Sequence, residues 1–263
     1  MKKNILLIVE GEKTENEFFK NFLIPFEDSF EIFCFKTNIY GLYKKIKEMD
    51  FNADIKSILA EIHPNEKEKL SNNFLYTYLI FDCDIHHPKS NETRLLKDII
   101  NDNFTKLKEM ADYFIDETDP TIGKLYINYP MMESFRDCDD FFDNNYKDAF
   151  VTLENIPKYK NIVSTRKLIH LHIDKYKKEN YESLMLQNLY KLDFIINGFW
   201  GKPNYDTYLE ISNSLKVLEE EYKIVNSDEK IAVLNTSLFL IIDYFGNNNN
   251  FYDNLLVDIK NRI

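Results

Sequence analysis

Glu10, Asp82 and Asp84 are the residues whose types and spacing point most directly to chemistry. Glu10 closes the apolar run Ile5-Leu6-Leu7-Ile8-Val9, and Asp82-Cys83-Asp84 closes a second run, Leu75 to Phe81. Short continuous apolar runs mark strands buried on both faces of a parallel sheet, and ligands bind beyond the carboxyl ends of such strands. With the two strands side by side, the carboxylates converge on one edge. Asp82 and Asp84, two apart in an extended segment, then address one ion. Carboxylates held that close repel one another without a cation. Mg²⁺ (or Mn²⁺) suits the set, because it prefers oxygen ligands, keeps waters and phosphate oxygens in its shell and activates water for attack on phosphorus. The chemistry expected is phosphodiester hydrolysis, with Glu10, Asp82 and Asp84 as metal ligands. A phosphohydrolase or nucleotidyl-transfer enzyme acting on a small substrate uses an Asp-x-Asp pair in the same way and stays open as the alternative. Haloacid-dehalogenase-type phosphatases fit less well. They carry Thr or Val where His86 stands, and they open on this motif, which here follows about 80 residues of chain.

Other residues have two readings each. Gly11 gives the backbone freedom for a sharp strand-to-helix turn. Thr14 and Glu17 form a Thr-x-x-Glu capping box, while Glu15 either complements the helix dipole or joins the site. Lys13 is an exposed turn lysine or a phosphate contact. His86 and His87 either face substrate or belong to an ordinary loop. His170 and His172 are explained by partial burial, there being no third ligand to make a metal site with them. Lys158, Lys160, Arg166 and Lys167 open a basic stretch running to Lys178, with Tyr159 and Tyr176 interleaved. That composition suits phosphate contacts and base stacking, or a solvated lysine-rich surface. The run Asp137, Asp139, Asp140, Asp143 reads as a polar loop, and Trp200 as a packed helix end.

The elements that must position these residues follow from hydrophobic period and turn signals. Strands are expected at Asn4–Val9, Glu31–Lys36, Leu75–Phe81 and Lys124–Asn128, with helices after Thr14, over 40–62 and from about Asn91 to Phe114. The alternation implies an open α/β domain over residues 1–135, a parallel four-stranded sheet in the order 2-1-3-4 flanked by helices. Residues 136–263 are expected to be mainly helical, with helices near 178–198, 205–223, 228–245 and 250–262.

Composition sets the outer limits. The 263 residues are 44% hydrophobic and 29% charged, as in a folded globular protein. Three widely spaced cysteines argue against a disulfide framework or a structural zinc, and for a reducing compartment. The apolar N-terminal run is too short for a signal peptide, and no stretch reaches the length of a membrane span. The expected location is cytoplasmic, with no membrane partner. The net charge of −11 works against nucleic acid as a partner unless a basic patch, a metal or a basic subunit supplies local positive charge.

Three segments resemble TOPRIM domains, in the branch of OLD-type and RloB-like nucleases. Ile8-Val9-Glu10-Gly11-Glu12-Lys13-Thr14-Glu15 is similar to the first motif, in which Thr-Glu follows closely on Val-Glu-Gly. Phe81-Asp82-Cys83-Asp84 resembles the Asp-x-Asp motif. Asn128-Tyr129-Pro130-Met131-Met132-Glu133 is similar to the Asn-Pro-x-x-Glu segment, with Tyr129 inserted. The resemblance spans residues 1–135. It implies a TOPRIM-like fold and a Mg²⁺-dependent endonuclease cutting DNA or RNA, with Glu10 as acid/base or metal-linked carboxylate and Asp82 and Asp84 as ligands. Glu15 would support them, and Glu133 would serve a second metal or orient the site. It also implies a role in bacterial anti-phage defence, beside an ATPase that must be a separate subunit because this chain has no phosphate-binding Gly-x-x-x-x-Gly-Lys-Ser/Thr loop. A non-catalytic, partner-binding subunit with a degenerate site is the remaining possibility. Nothing in the sequence fixes the oligomeric state.

Overall fold

The computed structural model describes residues 4–26, 29–86, 95–119, 121–246 and 248–255. The chain divides into two compact units, Met1–Tyr126 and Ile127–Ile263.

The first unit is α/β. In chain order it contains β1 (Asn4–Val9), α1 (Thr14–Leu23), β2 (Ser29–Cys34), α2 (Ile39–Glu48), α3 (Ile55–Ile62), α4 (Lys67–Leu70), β3 (Tyr76–Asp82), α5 (Leu96–Tyr113) and β4 (Ile115–Asp116), followed by β5 (Gly123–Asn128), which runs across the division between the units. The sheet is five-stranded and mostly parallel, in the order β2-β1-β3-β5-β4. β1 pairs in parallel with β2 and with β3, Val9 standing opposite Cys34 on one side and Ile80 on the other. Ile5 to Val9 are completely buried, as a strand covered on both faces requires. The expected four strands therefore lie in the expected order, and the sheet is mixed rather than purely parallel. The additional strand, β4, pairs antiparallel with β5. It has two residues, both exposed, too short for a hydrophobic period to reveal.

Three local expectations are corrected. The Thr14–Glu17 capping box does not form: Thr14 is already the first helical residue, and Lys13 precedes it without a side-chain cap. The span 40–62 is two helices, interrupted where Asp50 and Phe51 adopt left-handed backbone. Asn38 and Asp54 each cap a helix through a side-chain oxygen, on Gly41 N at 3.2 Å and Lys56 N at 2.9 Å. The polar stretch 63–73 contains a short 3-10 turn and α4 rather than a plain loop.

The second unit is largely helical: β6 (Phe150–Thr152), α6 (Tyr159–Val163), α7 (Lys178–Asn197), α8 (Tyr205–Ile211), α9 (Ser214–Asp228), β7 (Lys230–Ala232), α10 (Leu240–Phe245) and α11 (Phe251–Asn254). Helix α7 matches its expected span and ends on Gly198 in left-handed backbone. The single helix expected over 205–223 is split, because Asn213 accepts from Leu215 N at 2.9 Å and starts α9 afresh. The helix expected over 228–245 is instead β7, a 3-10 turn and α10, with β7 pairing antiparallel to β6. Most of the helix expected at 250–262 lies outside the described residues. A buried polar seam organises the unit. Asn235 donates to Met132 O at 2.9 Å and Ser134 Oγ at 3.2 Å, receives Ser237 Oγ at 2.6 Å, and gives its own N–H to Asn188 Oδ1 at 2.8 Å. No described helix is long and apolar enough to cross a membrane.

Candidate active site at the end of the central strands

The chain leaves β1 toward β2 on one side and returns to β3 on the other, so the carboxyl edge between β1 and β3 is the point where strand order reverses. Glu10 and Asp82 meet there. The Asp82 backbone N–H donates to Glu10 Oε2 at 3.1 Å, tying the Glu10 carboxylate to the end of β3. The other side of the Glu10 backbone is fixed by β2. Phe35 N donates to Val9 O at 2.8 Å, and Cys34 Sγ to Glu10 O at 3.1 Å. Glu10 is thus half-buried and held from both neighbouring strands.

Glu15 joins it through α1. A Cβ at Gly11 would collide with the Glu15 carboxylate, which therefore lies directly against the turn after Glu10. That carboxylate is the end of a flexible side chain, which could shift to admit a Cβ. Gly11 is not among the residues of positive φ, so the expected conformational role is corrected. Lys13 is exposed.

Asp84 departs from the expected geometry. β3 ends at Asp82, Cys83 is buried, and Asp84 adopts left-handed backbone with φ +42°. Period-two alternation therefore does not place its side chain beside that of Asp82. Asp tolerates this conformation better than most residues do. The loop that follows is held from two helices by residues the sequence did not single out. Tyr40 of α2 donates its hydroxyl to Cys83 O at 2.8 Å, and buried Asn103 of α5 donates to Ile85 O at 3.0 Å. Lys106, one helical turn after Asn103, reaches Asp102 at 2.7 Å and Asn103 Oδ1 at 3.3 Å. Only hydrogen bonds across long sequence separations expose these roles. His86 is half-buried, and His87 lies outside the described residues.

Among the described residues, no three His, Cys, Asp or Glu side chains are grouped to hold a metal ion. The expected three-ligand cluster of Glu10, Asp82 and Asp84 is not assembled. The donors present are two carboxylate residues from adjacent strand ends. Mg²⁺ sites commonly use one or two carboxylates and complete the octahedron with waters and phosphate oxygens. The residues fit that kind of site and do not fit an all-protein cage.

In the second unit, Glu133 is almost entirely buried, its Oε1 paired with Lys160 Nζ at 3.0 Å. Its Oε2 is buried without a hydrogen-bond partner among the described residues. Asp137, expected in a polar loop, is 5% exposed and accepts from Arg166 Nε at 2.7 Å and Tyr159 OH at 3.0 Å. This hydrogen bond raises the Arg166 pKa, while burial drives the Tyr159 hydroxyl well above its ordinary value. Lys167 N donates to Asp139 Oδ1 at 2.9 Å, and Lys158 is exposed. Lys160 pairs with Glu133 and Arg166 with Asp137, while Tyr159 and Tyr176 are buried, with no ring face to offer a base. His170 and His172 are exposed rather than partly buried, and His172 Nδ1 lies 2.9 Å from Asp174. Trp200 packs edge-on against Tyr190 and Phe194, as a helix-end residue.

No family profile, no curated protein and no solved structure matches the chain.

Proposed function

We propose that the chain is a divalent-metal-dependent nuclease that hydrolyses phosphodiester bonds at the carboxyl edge between β1 and β3. The observation that carries this reading is the 3.1 Å hydrogen bond from Asp82 N to Glu10 Oε2, which holds the Glu10 carboxylate at the end of β3, beside the Asp82 backbone, at the point of strand-order reversal. A bound Mg²⁺ or Mn²⁺ would supply an activated water and neutralise phosphate charge. Glu10 and Asp82 hold the ion, Glu15 adds negative charge beside Glu10, and Tyr40 and Asn103 fix the loop that carries Asp84. The reading of this unit as TOPRIM-like rests on its motifs together with the strand order. The same resemblance supports a wider proposal, that of a cytoplasmic effector of anti-phage defence working beside a separate ATPase.

The test is a panel of plasmid, single-stranded DNA and total tRNA with Mg²⁺, Mn²⁺ or chelator. Wild type is expected to cut at least one polymer only with the metal. Glu10→Ala and Asp82→Ala are expected to lose at least a hundredfold in rate while remaining folded. Turnover of free nucleotides with no polymer cut supports the small-substrate phosphohydrolase instead. Calorimetry showing no divalent binding supports a non-catalytic partner subunit.

A further inference from the structure

A groove of about 340 Å³ between α2 and α5 is lined by Tyr40, Tyr43, Lys44, Lys47, Glu48 and Lys106. Three of these side chains are cationic and one anionic. Two of the lysines lie over the two tyrosine rings. Lys106 Nζ lies 5.8 Å from the centroid of the Tyr40 ring, and Lys47 Nζ lies 5.1 Å from that of Tyr43. The volume is at the small end of ligand pockets, with room for about one nucleotide.

The groove adjoins the candidate site through a single residue. Tyr40 contributes its ring to the lining and its hydroxyl to Cys83 O, at 2.8 Å, between Asp82 and Asp84. Its lysines have acidic neighbours: Glu48 3.8 Å from Lys44, Glu109 3.7 Å from Lys47 and Asp102 2.7 Å from Lys106. The first pair is open to water on both sides, with side chains 78% and 62% exposed. Exposed pairs of this kind hold weakly and yield to a phosphate that brings its own charge.

We propose that this groove holds a single-stranded stretch of nucleic acid leading to the Glu10–Asp82 edge, its lysines on the phosphates and the half-buried Tyr40 ring against a base or sugar. The proposal rests on the hydrolysis reading given above and names its substrate class. Single-stranded chains present unstacked bases to aromatic rings and phosphates to lysines at the same time, whereas a duplex keeps its bases stacked inside. The tyrosines in the basic stretch of the second unit are buried, as is Tyr43, whereas Tyr40 is half-buried and lies beside lysines.

The test is fluorescence anisotropy with a short labelled strand, as DNA and as RNA of one sequence, and with the matching duplex, in Ca²⁺. The proteins are wild type, Lys44→Ala/Lys47→Ala, and Lys223→Ala as a control for lost positive charge, each checked by thermal melting. Lys44→Glu replaces the double variant if loss of the Lys47–Tyr43 contact prevents folding. Wild type is expected to prefer the single strands, and the DNA and RNA arms identify which. The double variant is expected to bind about tenfold more weakly, with a salt dependence shallower by about 1.4 in log–log slope, at about 0.7 for each lost phosphate contact on a single strand. Metal-dependent cutting with unchanged binding in the double variant overturns the groove and leaves the hydrolysis reading standing. Groove-dependent binding without cutting of any strand keeps the groove and removes that reading. A preference for duplex overturns the single-strand assignment, and binding to no strand overturns both.

Discussion

Glu10 has two separable tasks, accepting the Asp82 N–H and offering a negative carboxylate. Glu10→Gln keeps an oxygen for the first and removes the charge needed for the second. Its melting temperature is expected within about 2 °C of wild type, while calorimetry shows divalent binding lost. Glu10→Ala strands a part-buried N–H and is expected to cost about 1–2 kcal/mol, lowering the melting temperature by a few degrees. Equal ion binding in wild type and Glu10→Gln contradicts the metal role. The positions of Glu10 and Asp82 were legible because each closes an apolar run, and burial of that run fixes where the strand stops. Asp84 was not legible. Its residue type permits left-handed backbone, but the choice is made by the loop, through Tyr40 and Asn103, which lie far away in sequence. The ion pairs of Lys160 and Arg166 were not legible for a similar reason: their partners, Glu133 and Asp137, belong to a different segment.

The strands of the sheet were readable where residues were continuously apolar, and their neighbours followed from chain order. What was missed are the breaks: left-handed backbone at Asp50 and Phe51, and the Asn213 cap that restarts a helix. These depend on one or two residues, which a helical period averages away. The same holds for β7, whose three residues pair with β6 beside an ionisable pair that no periodic pattern discloses. Lys191 of α7 is buried, donates to Lys147 O at 2.7 Å and Ala149 O at 2.8 Å, and stands 3.9 Å from the Phe150 ring centroid. Glu221 of α9 accepts from Ala232 N at 2.9 Å. Burial lowers the Lys191 pKa to about 7 and raises that of Glu221 to about 8. Stability rises with pH wherever the unfolded chain binds more protons than the fold. Glu221 keeps its proton in the fold from 4.5 to about 8 while the unfolded chain loses it, so its contribution falls as pH rises through that window. Lys191 is neutral in the fold from about 7 to 10.5 while the unfolded chain is charged, so its contribution rises there. The pair therefore contributes least between about pH 7 and 8. Wild type is expected to lose stability from about pH 5 to 7, and melting curves of Glu221→Gln are expected to lack that decline. Parallel pH profiles for the two proteins contradict this account.

At the scale of the whole molecule, a net charge of −11 repels nucleic acid, so the proposed binding would have to be local and helped by metal. Chelator is expected to weaken single-strand affinity at least tenfold relative to Ca²⁺, read by anisotropy, and tight metal-free binding contradicts it. The division into an α/β unit and a largely helical one was legible from the change of pattern along the chain. The seam that knits the second unit together was not, because Asn188 and Asn235, and Asn128 and Ser237, carry no periodic signal and meet only after folding. The proposal that Glu10 and Asp82 form a divalent-ion site that cleaves phosphodiesters stands on the edge between β1 and β3. Its most direct test is the cleavage rate of a polymer substrate in Mn²⁺ by wild type and by folded Glu10→Gln. The account predicts metal-dependent cutting by wild type and a loss of at least a hundredfold in the variant; equal rates in the two proteins would contradict it.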